Sequence, residues 1–97
     1  MESSTLTTST TAVASDNALS TTIDGETVIL HRDAGKYYGL NEVGTFVWEL
    51  IQEPRSVEEL CRKVVAEYDV ERERCQTDIE DLLVDLAEND LVRFDGS

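Results

Sequence analysis

An α+β domain of the winged helix-turn-helix type, with a three-stranded antiparallel sheet followed by three helices, is the fold class that this sequence predicts. Two observations predict it. Before Asn41, apolar residues fall in short extended runs separated by turn dipeptides. From Asn41 onward they recur at the i, i+3, i+4 spacing of buried helix faces, in segments divided by a proline and by a tight Asp69-Val70 break.

Met1 to about Ala18 is rich in Ser, Thr and Ala and nearly free of charge, so residues 1–17 are read as a flexible tail that can contribute part of a first strand. That strand is expected within Thr10 to Ile23, where Thr and Val favour extended backbone. Asp24-Gly25 is a hairpin dipeptide, and Thr27-Val28-Ile29-Leu30-His31 is the stronger strand after it. Ala34-Gly35 makes a second turn, and Lys36 to Leu40 forms the third strand.

Asn41 caps a first helix whose stripe is Val43, Phe46, Val47, Leu50 and Ile51, and Pro54 stops it. Ser56 with Glu59 forms a capping box for a second helix, with Val57, Leu60, Cys61, Val64, Val65 and Tyr68 on its apolar side. The third helix should start near Glu71 to Arg74, bury Cys75, Ile79, Leu82, Leu83 and Leu86, and fray near Asn89 and Asp90. Leu91, Val92 and Phe94 form a short apolar end that covers the core. The folded domain is therefore assigned to residues 18–94, with 95–97 as a tail.

The 97 residues, 40% of them hydrophobic, suffice for one small core and not for two. Eight basic against 21 acidic residues give a formal charge of −13, which repels phosphate backbones and argues against nucleic acid as a partner. This charge fits solubility or high-salt adaptation better than steering of a basic peptide. No apolar stretch approaches a membrane span, and the N-terminal segment lacks the basic start and apolar centre of a signal peptide, so no membrane partner and a cytoplasmic location are expected.

Catalytic chemistry finds little to work with. A nucleophile needs a nearby base, and the single histidine, His31, lies in a strand with no second polar motif beside it; it is read as an exposed or half-buried strand residue sharing a side with Thr27 and Ile29. Cys61 and Cys75 are too far apart for a Cys-x-x-Cys pair and fall on apolar helix stripes. They read as core thiols, able to form a disulfide only if their helices cross there. Acid pairs such as Glu58-Glu59 and Glu80-Asp81 lie opposite the apolar stripes, where solvated charge belongs, and no phosphate loop or calcium-loop spacing is present. No enzyme activity, cofactor or metal site is expected. Trp48, one position beyond the first stripe, is expected to be partly buried against the sheet or the tail. Strand alternation places one of Tyr37 and Tyr38 inward and the other outward, and an exposed tyrosine beside a free strand edge is a binding signal.

The ordered set Val28-Ile29-Leu30, Gly35-Lys36-Tyr37-Tyr38, Leu40-Asn41, Gly44 with Val47-Trp48, Val57-Glu58-Glu59-Leu60, Tyr68-Asp69-Val70, Asp78-Ile79, Leu82-Leu83, Leu86 and Leu91-Val92 resembles the PqqD-like RiPP recognition elements. These include the small leader-binding proteins of lasso peptide biosynthesis. The likeness runs from Asp24 to Val92. It implies a non-catalytic module that binds the leader of a ribosomally made precursor peptide as an added strand between the third strand and the third helix. On that basis Lys36, Tyr37, Tyr38, Gly39 and Leu40 would pair with the peptide backbone, and Ile79, Leu82, Leu83 and Leu86 would line a groove for apolar leader side chains. Asp78, Asp81 and Asp85 recur at helical spacing beside that groove and could meet a basic leader residue. The implied partners are the precursor and its maturation enzymes, a leader protease with a cyclase or, alternatively, a radical SAM enzyme.

Two readings from other classes compete. A winged-helix transcription regulator fits the topology alone, and the acid-rich third helix opposes it. A homodimerisation domain using the same free strand edge would need no precursor at all.

Overall fold

The extended sequence before Asn41 forms four strands in the computed structural model, which describes residues 9–95: β1 (Thr11–Ala14), β2 (Ala18–Ile23), β3 (Glu26–His31) and β4 (Tyr37–Leu40). There follow α1 (Glu42–Leu50), β5 (Arg55–Ser56), α2 (Val57–Glu67), α3 (Arg72–Glu88) and β6 (Val92–Asp95). The order β2-β3-β4 is the expected antiparallel meander. Its first turn is a two-residue loop in which Asp24 and Gly25 have φ of 54° and 82°, the twin left-handed geometry that lets a right-twisted hairpin close. Gly35, at φ 69°, serves the second turn.

The expected first strand within Thr10 to Ile23 resolves into two, and only β2 joins the meander. β1 departs from the tail expectation: it lies in the middle of a second sheet, β5-β1-β6, with Thr11 opposite both Ser56 and Asp95. The backbone around it is tied down as well. Ala14 N–H donates to Ile51 O (2.8 Å), Ser15 N–H to Leu91 O (2.9 Å), and Val57 N–H to Thr10 O (3.0 Å). Residues 1–8, the rest of the expected tail, and 96–97 lie outside the described residues.

Asn41 caps α1 through Oδ1, which accepts from Gly44 N–H at 2.9 Å, and Ser56 Oγ caps α2 by accepting from Glu59 N–H at 3.1 Å. The expected reciprocal half of the Ser56 box is replaced, because the Glu59 carboxylate takes Arg55 Nη1 at 2.7 Å instead. One core joins the layers: Ile29 and Leu40 from the sheet meet Val47, Trp48 and Ile51 of the α1 region, Leu60 and Val64 of α2, Leu83 and Leu86 of α3, and Leu91 with Val92. Burying such side chains supplies the main stabilisation, at about 1.5–3 kcal/mol for each large one.

Two expectations shift in detail. The buried face of α1 is Gly44, Thr45, Val47 and Trp48, while Val43, Phe46 and Leu50 are only partly covered, so Trp48 is core; its Nε1 donates to Ser20 Oγ of β2 at 3.1 Å. His31, expected to be exposed or half-buried, is buried, with Nδ1 accepting from the Asp33 and Ala34 backbone N–H groups at 3.1 and 3.0 Å. Those acceptances leave the proton on Nε2, which donates to Asp90 Oδ2 at 3.1 Å.

Candidate functional site

The second turn delivers the chain into β4, and β4 is an edge of its sheet. Along Tyr37–Leu40 the backbone groups that do not face β3 are therefore open to another strand. The pleat divides the tyrosines: Tyr37 stands outward and is 74% exposed, whereas Tyr38 and Leu40 turn toward the helices.

Beside this edge lies a cleft of about 390 Å³. β4 contributes Tyr38, Gly39 and Leu40; the start of α1 contributes Asn41, Val43, Gly44 and Val47. Val64 and Val70 floor it, and Cys75, Asp78, Ile79 and Leu82 of α3 form the opposite wall. The cleft is thus mostly apolar, with one carboxylate on its α3 rim. Further along α3, Tyr38 O–H donates to Asp85 Oδ2 at 2.7 Å, a bond that ties β4 to the helix. Partial burial and that carboxylate push the Tyr38 phenol up to about 12.

Lys36 is exposed just before β4, and its carbonyl accepts from His31 N–H at 2.9 Å. Ile79, Leu82 and Asp78 lie at the cleft as the sequence suggested, and Asp85 lies beside it on Tyr38. Leu83 and Leu86 do not: both are fully buried between α3 and the rest of the core. Asp81 is exposed, and Asp78 has only a loose 3.9 Å pairing with Arg74. Sequence reasoning missed the contribution of α1 and of Val64, Val70 and Cys75. Val70 carried a signal, since an apolar residue in a break between helices has no stripe to belong to.

Cys61 and Cys75 do meet across α2 and α3, as free buried thiols. Burial first, and the neighbouring sulfur second, push Cys61 up to about 11. Protonated thiols of this kind are packing groups, and Cys75 adds a soft surface to the cleft.

The fold and the site define a winged helix-turn-helix domain with an unpaired aromatic strand along an apolar cleft. Residues 26–92 match the family described as coenzyme PQQ synthesis protein D (PqqD), and the chain belongs to that family. Among solved structures it is similar to one described as TbiB1 in complex with the TbiA(beta) leader peptide: 38% identity, 84% of this chain and 94% of that one, TM-score 0.78. It also shares its fold with a lasso peptide synthetase B1 complexed with the leader peptide, at 23% identity over 84% of this chain and 96% of that one, TM-score 0.75. No curated protein matches the sequence.

Proposed function

We propose that this chain is a non-catalytic recognition domain that binds the leader of a ribosomally synthesised precursor peptide and delivers it, in the cytoplasm, to a lasso-type leader protease and cyclase. The observation that carries the reading is the open β4 edge running beside the 390 Å³ apolar cleft. The leader pairs its backbone with Tyr37–Leu40 and seats alternate apolar side chains against Leu40, Val43, Ile79 and Leu82. Similarity to TbiB1 supports the binding of a leader peptide, and the fold shared with a lasso peptide synthetase B1 supports the lasso context over service to a radical SAM enzyme. The non-catalytic reading is supported by the state of the reactive groups: His31 is held by backbone and Asp90, and both thiols are buried and protonated.

Fluorescence-polarisation titration tests this with labelled leaders from short precursor reading frames beside the gene. Single N-methyl groups are walked along the leader, each deleting one backbone donor without altering the protein. Strand addition predicts saturable binding whose loss alternates with a period of two, by about fivefold to tenfold at each sensitive position. Binding insensitive to every N-methyl group would sink the strand-pairing mechanism.

A further inference from the structure

The single histidine of the chain, His31, stands where β3 ends, and only residues 32–36 separate it from β4. The backbone N–H groups from Arg32 to Gly35 are all taken. Arg32 N–H donates to Asn17 O at 2.7 Å, and the other three converge on His31. Asp33 and Ala34 donate to its Nδ1 at 3.1 and 3.0 Å, and Gly35 to its carbonyl at 2.9 Å. His31 N–H donates in turn to Lys36 O at 2.9 Å. The turn that leads into the open edge is thus organised around one residue, and two of its bonds end on one ring nitrogen.

The far side of the ring is anchored on another element. Nε2 meets Asp90 Oδ2 at 3.1 Å just beyond α3, and Asn17 Nδ2 donates to the same oxygen at 2.7 Å. Those bonds, that of His31 first, hold the Asp90 carboxyl below the usual carboxylate range, so it stays charged in mild acid. Among the described residues Asp90 alone forms an ion pair with the ring. Arg32, Asp33 and Lys36 of the turn and Asp16 ahead of β2 are the other charged neighbours along the chain, all exposed, and the β2 residue opposite His31 is uncharged Ala18. A proton added to Nδ1 turns an acceptor into a donor that faces two N–H groups, while the Nε2 bond to Asp90 becomes charge-assisted at both ends. The charged ring stays with Asp90 and lets go of the turn.

We propose that neutral His31 is the positioning residue that holds the β4 edge ready for the leader, and that its protonation frees the 32–36 turn and weakens leader binding in mild acid. The inference rests on the leader-binding reading above. The ring acts through the turn: an edge already ordered at Lys36 and Tyr37 spares the leader the entropic cost of ordering it.

Asparagine and glutamine divide the imidazole between them. Asn places an oxygen where Nδ1 accepts, Gln places an amide where Nε2 meets Asp90, and neither titrates. The test measures affinity for the labelled leader, with any histidine in it replaced by glutamine, at about pH 7.5 and about pH 5.5, the range in which histidine changes charge. Wild type, His31→Asn and His31→Gln are compared in the full chain, circular dichroism checks folding, and NMR follows the His31 imidazole. The expected wild-type affinity is about tenfold weaker at the lower pH, with a midpoint that matches the imidazole titration. His31→Asn should stay within about threefold of neutral wild type at both pH values, and His31→Gln should be about tenfold weaker at both. The same pH profile in wild type and His31→Asn would overturn the proposal. So would a His31→Gln chain that binds like wild type while His31→Asn is weak, since the ring would then serve only as a strut to Asp90. Unchanged wild-type affinity while the imidazole signal reports protonation would overturn it whatever the variants do. Failure of the wild type to bind leader at neutral pH would overturn the earlier reading and this one with it.

Discussion

Tyr37 and Tyr38 are chemically identical neighbours with opposite fates, because successive side chains in a strand leave on opposite faces. The alternation was legible in the sequence; which tyrosine turns inward was settled by Leu40, whose burial under α1 fixes the phase of β4. Tyr38 then reaches Asp85. Its phenol is an acid whose proton is held more tightly in the folded protein, near 12 against 10 for the free group. Its contribution is therefore complete below pH 10 and is lost as pH rises from 10 to 12. Tyr38→Phe should cost about 0.5 kcal/mol at pH 7, the low end for a hydrogen bond because this one is exposed, and should lose less additional stability than the wild type between pH 10 and 12. Urea melts at pH 7 and pH 11 check both. The partners of His31 were not legible, since Asp90 is 59 residues away and takes its position, at φ 61°, from the end of α3.

At the scale of elements, what local sequence encodes was readable and what distant pairing encodes was not. The Asp24-Gly25 hairpin, the Asn41 and Ser56 caps and the helix stripes all depend on residues within a few positions of one another. β1 depends on β5 and β6, some forty to eighty residues further along, and its Thr-Ala-Val-Ala sequence carries little apolar pattern of its own. α3 shows a second limit. It is apolar on two flanks, one toward the core at Leu83 and Leu86 and one toward the cleft at Leu82, and periodicity alone cannot divide them. A chain beginning at Asp16 should test the weight of β1. It uncovers the fully buried Ala12 and removes the β1 ladders with β5 and β6 besides three further tertiary backbone hydrogen bonds, a loss of at least about 3 kcal/mol, or roughly 12–24 °C or more in Tm. A thermal melt within a few degrees of the full chain would show that the second sheet is dispensable.

The molecule as a whole separates its charge from its apolar surfaces. Acids crowd α3 at Asp78, Glu80, Asp81, Asp85 and Glu88, while the cleft and the outer sheet face are nearly uncharged. Shape and apolar contact should therefore dominate leader affinity, with charge acting as a modest filter. A leader with a lysine placed beside Asp78 and Asp81 should bind roughly twofold to fivefold more weakly at about 0.5 M than at 0.05 M NaCl, and a leader with alanine there should be nearly indifferent to salt. Titrations at the two ionic strengths decide it. The net charge was plain from composition, but its distribution was not, because no count of acids tells which helix face they share.

The antiparallel pairing of β1 with β6 sets Thr11 opposite Asp95, so the folded unit is entered and left through adjacent, hydrogen-bonded strands. Neighbouring strands are only about 5 Å apart. A unit with such a narrow doorway can be spliced into a surface loop of a host protein without prising the host apart, and a short bridge between residues 95 and 11 would allow new ends to be cut at the Asp24-Gly25 turn. The pairing that anchors the N-terminal strand thus also makes the domain portable.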